Sequence, residues 1–150
     1  MAWKAARKPS RGGIANLICI AEPLDVLAAE LGCVADRLSV IFPWGSLLRA
    51  IAAPETGALV QIASLCLSGA TIEIVFSYDP QRDSRAGLSM VQVDERHISL
   101  TLPKIYQQAS LHITSIERLP QRELINLGTT WATRLAYGHL RDVWHIRATR

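Results

Sequence analysis

A short run, Phe42-Pro43-Trp44-Gly45, constrains this chain more than any other. It closes Arg37-Leu38-Ser39-Val40-Ile41, where Leu38, Val40 and Phe42 alternate with Ser39 and Ile41 in the β-branched, apolar manner of an interior strand. Pro43 has no backbone N–H for a sheet ladder, so the strand ends there, and Gly45 lets the chain turn sharply or lie close to a ligand. Ser46-Leu47-Leu48 then opens a helix. In open α/β sheets the ligand crevice lies beyond the carboxyl ends of the strands, which is where Trp44 falls. A Trp held there between Pro and Gly either stacks on something flat or plugs the top of the sheet.

The rest of the chain reads as βα units around that turn. Ala2 to Arg11 has helical composition and breaks at Pro9-Ser10-Arg11-Gly12-Gly13. Ile14 to Ala21, with Leu17-Ile18-Cys19-Ile20 contiguous, reads as a strand buried on both faces. Leu24 to Leu31 is a short helix stopped by Gly32, so it and the flanking strands make a βαβ unit. Ser46 to Ala53 is helical. Pro54-Glu55 starts another helix, with Leu59, Ile62, Ala63, Cys66 and Leu67 as its stripe and Ser68-Gly69 as its end. Ala70 to Tyr78 is an interior strand. Residues 81–108 are charged and weakly periodic, which suggests a surface insertion, in part helical. Leu111 to Leu119 is a strand, Pro120 to Leu127 and Thr129 to Leu135 are helical, and Val143 to Ala148 is a closing strand that pairs hairpin-fashion with the one before.

With 150 residues, 49% of them apolar, the chain makes one domain, or part of one, with a real core. No apolar run approaches the roughly 20 residues of a membrane span, and the basic N-terminus lacks a secretion signal's apolar stretch, so a cytoplasmic protein is expected. Cys19, Cys33 and Cys66 each lie among apolar neighbours, as reduced buried thiols do, and no Cys-x-x-Cys or His-x-x-x-His pair suggests a metal. The net charge of +3 is polarised: Lys4, Arg7, Lys8 and Arg11 sit near one end, and Arg134, Arg141, Arg147 and Arg150 near the other. Two separated basic segments suit an anionic polymer, although solvated chain ends are often basic too.

Four segments taken together resemble the family of 16S ribosomal RNA methyltransferases that modify adenine 1408 at N1 and confer aminoglycoside resistance. They are Ala5-Ala6-Arg7-Lys8-Pro9-Ser10-Arg11-Gly12-Gly13 with Asn16; Ala21-Glu22; Phe42-Pro43-Trp44-Gly45-Ser46-Leu47-Leu48; and Thr130-Trp131-Ala132-Thr133-Arg134-Leu135-Ala136 with Arg141 and Trp144. The resemblance implies an α/β, Rossmann-like class I methyltransferase sheet using S-adenosylmethionine, a monomer acting on 16S rRNA in the small ribosomal subunit. It implies that Trp44 and Trp131 sandwich the flipped adenine as the catalytic pair. Ala21, Glu22, Phe42, Pro43, Ser46, Thr129 and Thr130 would hold the cofactor, and Lys4, Arg7, Lys8, Arg11, Arg134 and Arg141 the RNA. Trp3 and Trp144 are assigned to packing, and His97, His112, His139 and His145 to surface or structural roles.

One departure stands out. Family members open with a strand, a Gly-rich cofactor loop and a second strand ending in an acid, whereas this chain has no Gly-x-Gly anywhere and its Gly12-Gly13 precedes a strand. The sheet is therefore expected to lack its first two strands, leaving about the C-terminal two-thirds of the domain, exposed apolar edges and impaired cofactor binding. A non-catalytic RNA-binding fragment, or a related methyltransferase acting on transfer RNA, are the rival readings.

Overall fold

The computed structural model describes residues 10, 13–54, 56–79, 83, 93–137 and 141–150. Its centre is a four-stranded sheet in the order β1-β2-β4-β3. β1 (Ala35–Ile41) runs parallel to β2 (Cys66–Ser77), and β4 (Val143–Thr149) lies antiparallel between β2 and β3 (His112–Arg118). The last two strands pair as the sequence suggests. Among the described residues six α-helices accompany the sheet: α1 (Leu24–Leu31), α2 (Gly45–Ala52), α3 (Thr56–Leu65), α4 (Leu102–Gln108), α5 (Gln121–Leu124) and α6 (Thr130–Tyr137).

Strand alternation sorts the core into two layers. Ile72, Ile74 and Phe76 of β2, with Trp144, Ile146 and Ala148 of β4, meet Leu48 and Ile51 of α2, Leu59 and Ile62 of α3, and Leu102 and Tyr106 of α4. Each such side chain contributes roughly 1.5–3 kcal/mol by leaving water. The Tyr106 hydroxyl donates to the Ile51 carbonyl at 3.2 Å, so the one polar atom of this large buried ring is satisfied. On the opposite face Val75 and Val143 pack with Leu124 of α5 and Ala132 and Leu135 of α6, with Ile41 and Phe42 against them. This smaller cluster sets α6 beside the end of β1.

Four expectations are corrected. Ile14 to Ala21 forms no strand: Ile14 is 54% and Ile18 83% exposed. A strand buried on both faces needs neighbours for its backbone groups, and the described residues provide none. β1 is not interior; among the described residues nothing pairs with its outer edge, and Arg37 and Ser39 are exposed. Cys66 is buried, but Cys19 and Cys33 are exposed. Finally, the later part of 81–108 is core rather than surface. A π-helical turn, His97–Thr101, runs into α4, and Ile98, Leu102 and Tyr106, four apart on one face, are fully buried.

The α3–β2 junction also moves. Cys66 already pairs with Ala35, so β2 begins directly after α3, and an irregular stretch of pairing follows in which Gly69 adopts φ +78°. An L side chain rarely takes that conformation. The predicted helix at Ala2 to Arg11 and the packing of Trp3 lie outside the described residues.

Candidate active site

The site is built at the end of the sheet where β1 and β2 finish. Phe42 leaves β1 at φ +49°, a left-handed conformation that costs a non-glycine residue of order 1–3 kcal/mol. Its N–H donates to the Val75 carbonyl at 2.8 Å, which ties the strained residue to the adjacent strand. Gly45 follows at φ +62°, and between them Trp44 is extended (φ −131°, ψ 162°) as the residue preceding α2. Two reversals in four residues turn the Trp44 ring outward, and it is 56% exposed.

The second ring arrives from α6. Thr129 Oγ1 accepts the Ala132 N–H at 3.0 Å, an N-cap that fixes where this helix starts. Ala132 and Leu135 are buried on the inner face of α6, which leaves Trp131, in the first turn, 42% exposed. Phe42, Trp44 and Trp131 line a single cavity of about 280 Å³. Three aromatic rings around an open space of that size present a slot for a flat, apolar-faced group.

A second cavity of about 470 Å³ is lined by Glu22, Asp25, Ser46 and Gln61 together with Leu24, Leu47 and Ala50. The structure thus brings Glu22 and Ser46 to one cavity, while Phe42 and Trp44 of the same turn line the other. Ala21 is exposed beside Glu22, and Pro43 is half-buried within the turn. Carboxylates and apolar side chains lining one cavity are chemistry that suits a nucleoside, acids accepting from ribose hydroxyls and Leu24 and Leu47 available to the base. The described residues therefore fit one end of S-adenosylmethionine. Thr129 is half-buried and caps α6, and Thr130, the first residue of that helix, is exposed.

The basic residues divide. Arg134 is exposed on α6. Arg141, expected on RNA, donates through Nη2 to Asp83 Oδ2 in a buried ion pair, the two side chains being 11% and 4% exposed. Asp83 also accepts the Asp79 N–H at 2.8 Å, and its own N–H donates to the Asp79 carbonyl at 2.8 Å. Arg141 is thus a clamp between the segment after β2 and the approach to β4. Sequence reading missed Asp83, whose only local signal is its spacing of four from Asp79. Lys4, Arg7, Lys8 and Arg11 lie outside the described residues.

Among the described residues no histidine lines the aromatic cavity; His139 lies outside them. His97 Nε2 lies 2.8 Å from the Ala52 carbonyl, joining the π-helical turn to α2. His145 is buried on β4 with Glu73 Oε1 2.8 Å from Nε2 and Glu117 Oε1 3.8 Å from Nδ1. Neither ring nitrogen makes a hydrogen bond. His112 is exposed. Among the described residues no group of three or more His, Cys, Asp or Glu is placed to hold a metal, and no helix is long and apolar enough to cross a membrane.

Comparison with known proteins bears on this geometry. The sequence model of the NpmA family, described as 16S rRNA (adenine(1408)-N(1))-methyltransferase, matches residues 1–150. A 16S rRNA (adenine(1408)-N(1))-methyltransferase of Escherichia coli is 27% identical over 153 residues, covering 95% of this chain and 67% of the relative. The crystal structure of the aminoglycoside resistance methyltransferase NpmB1 superposes with a TM-score of 0.74 at 36% identity, over 97% of this chain and 66% of that one. A variant of the 16S rRNA (adenine(1408)-N(1))-methyltransferase from Catenulisporales acidiphilia, solved with its cosubstrate SAM, superposes at 0.77 with 28% identity, over 99% of this chain and 67% of that one. The chain spans about two thirds of the length of these relatives.

Proposed function

Because this chain belongs to the 16S rRNA (adenine(1408)-N(1))-methyltransferase family of SAM-dependent enzymes, we propose that it binds 16S rRNA in the small ribosomal subunit and directs methylation of N1 of adenine 1408, the modification that confers aminoglycoside resistance. One observation carries the reading: Phe42, Trp44 and Trp131 share a cavity, with both indoles partly exposed to it.

The chemistry follows from the target. An adenine inside a helix hides N1 in base pairing, so it must be extruded, at a cost of a few kcal/mol. Stacking on an aromatic side chain returns roughly 1–3 kcal/mol per base, so two faces offset what one does not reliably offset. N1 attacks with a lone pair in the ring plane, and no proton leaves it, so the transfer needs no general base. The product ring becomes cationic, and indole faces attract cations, so the same pair stabilises the charge that develops in the transition state. Bound S-adenosylmethionine supplies an electrophilic methyl group. Trp44 and Trp131 hold the acceptor plane, Phe42 closes the slot, and Glu22 and Ser46 hold the nucleoside end with Ala21 and Pro43 beside them. Thr129 and Thr130 orient the remaining end. Rate enhancement is then mostly positioning of N1 in line with the methyl. Lys4, Arg7, Lys8, Arg11 and Arg134 supply phosphate contacts, and Arg141 steadies the RNA through the segment it clamps. The protein works as a monomer without a metal.

A second reading, RNA binding without catalysis, is favoured by the exposed Ile14 to Ala21 segment and the lack of a Gly-x-Gly loop in the sequence. Incubating small subunits with the protein and S-adenosylmethionine, then extending a primer across the site, decides between them. A reverse-transcription stop at adenine 1408 supports the enzyme. Subunit binding with no stop, and no heat on titrating S-adenosylmethionine, supports the binding fragment. Methylation of transfer RNA instead would point to the third reading.

A further inference from the structure

The methyl transfer leaves one polar side chain of the nucleoside cavity unused, Gln61 of α3. That helix turns Leu59, Ile62 and Ala63 to the core, while Ala58 and Gln61, three residues apart and so on one face, line the cavity. The lining is of two kinds. Glu22, Asp25 and Ser46 are exposed, whereas Gln61 is half-buried, as Leu24, Leu47, Ala50 and Ala58 are. Gln61 is therefore the polar member of the sheltered, apolar part. Among the described residues its amide has no hydrogen-bond partner. A sheltered amide in that state forgoes about 1 kcal/mol for each bond it does not make, which a ligand with a matching donor and acceptor restores.

The two kinds of lining suit the two parts of a nucleoside. Exposed carboxylates accept from ribose hydroxyls, and Leu and Ala side chains meet the faces of a base. Reading the edge of that base takes a group that donates and accepts side by side. Glu22 and Asp25 only accept, whereas an amide does both, and adenine offers the matching pair in its 6-amino group and N7. We propose that Gln61 is the specificity-determining residue for the base of the cofactor: its carbonyl oxygen accepts from the 6-amino group and its N–H donates to N7. A purine without the 6-amino group loses the first bond, and a 6-oxo purine sets an oxygen against the Gln61 carbonyl. The inference rests on the reading of this cavity as the nucleoside end of S-adenosylmethionine, and it names the residue that selects adenine there.

The test titrates the whole chain with adenosine and with purine riboside, which differs only in lacking the 6-amino group, and follows the heat of binding. The unaltered protein is expected to bind adenosine about tenfold more tightly, the equivalent of one neutral hydrogen bond. Gln61→Leu and Gln61→Met, each close to glutamine in size, should bind the two nucleosides equally. An undiminished preference for adenosine in either variant, with far-UV circular dichroism unchanged, would overturn the role of Gln61 and leave the nucleoside reading standing. Equal binding of the two nucleosides by the unaltered chain would do the same. Binding of neither would remove the nucleoside reading of the cavity, and the proposal with it.

Discussion

Trp44 and Trp131 face one cavity from two different helix starts: Trp44 directly precedes α2, and Trp131 lies in the first turn of α6. Neither ring is held by its own packing. The backbone beneath each is anchored instead, through the Phe42–Val75 bond on one side and the Thr129 cap on the other. The slot is therefore preorganised by groups outside it, and either indole can be removed without taking the fold with it.

The clamp behind α6 should behave differently. Asp83→Asn leaves the Arg141 guanidinium buried without its carboxylate and should destabilise the protein by about 3–5 kcal/mol, the usual cost of breaking one half of a buried pair. Urea unfolding measures it. A loss below 1 kcal/mol would show that the pair is not desolvated in solution.

Thr129→Ala removes the acceptor for the Ala132 N–H and should cost about 1 kcal/mol, whereas Thr130→Ala, at an exposed position, should cost a few tenths at most. Thermal melts of the two variants separate the capping role of Thr129 from any effect on cofactor binding, which titration with S-adenosylmethionine reads on its own.

Alkaline stability should depend on Tyr106. Burial raises its hydroxyl pKa above the usual 10.0, so above that pH the unfolded chain loses a proton that the folded chain keeps. Its stabilising contribution is complete below about pH 10 and falls as pH rises through the folded value. Tyr106→Phe should remove that alkaline slope, at a cost near neutrality of about 1 kcal/mol for the bond to Ile51. Denaturant midpoints at pH 7 and above 10 check both parts.

The sheet and the turn were legible because their signals are local. The apolar run of Ala70 to Tyr78, Pro43 after β1 and Gly45 at the start of α2 each act within a few residues, and the structure agrees with them. The failures are of another kind. Ile14 to Ala21 has the composition of a buried strand, but composition cannot supply the neighbours such a strand needs. The Ile98, Leu102, Tyr106 stripe was there at helical spacing and was hidden by the charges around it. At the site, the meeting of Trp44 with Trp131 came only from family resemblance, since no pattern in one chain brings such distant residues together. Asp83 was invisible for the same reason, because its partner Arg141 is far away in sequence and its meaning is a contact.

The central claim is that two indoles grip one extruded adenine. Methyl transfer to adenine 1408 in isolated small subunits, measured for the unaltered chain and for Trp44→Phe, Trp44→Ala, Trp131→Phe and Trp131→Ala at saturating S-adenosylmethionine, tests it most directly. Each Ala variant should lose roughly 5- to 150-fold in rate, the equivalent of one lost stack, with an unchanged melting temperature, and each Phe variant should keep most of its activity. A folded Ala variant that methylates adenine 1408 at the unaltered rate would contradict the account.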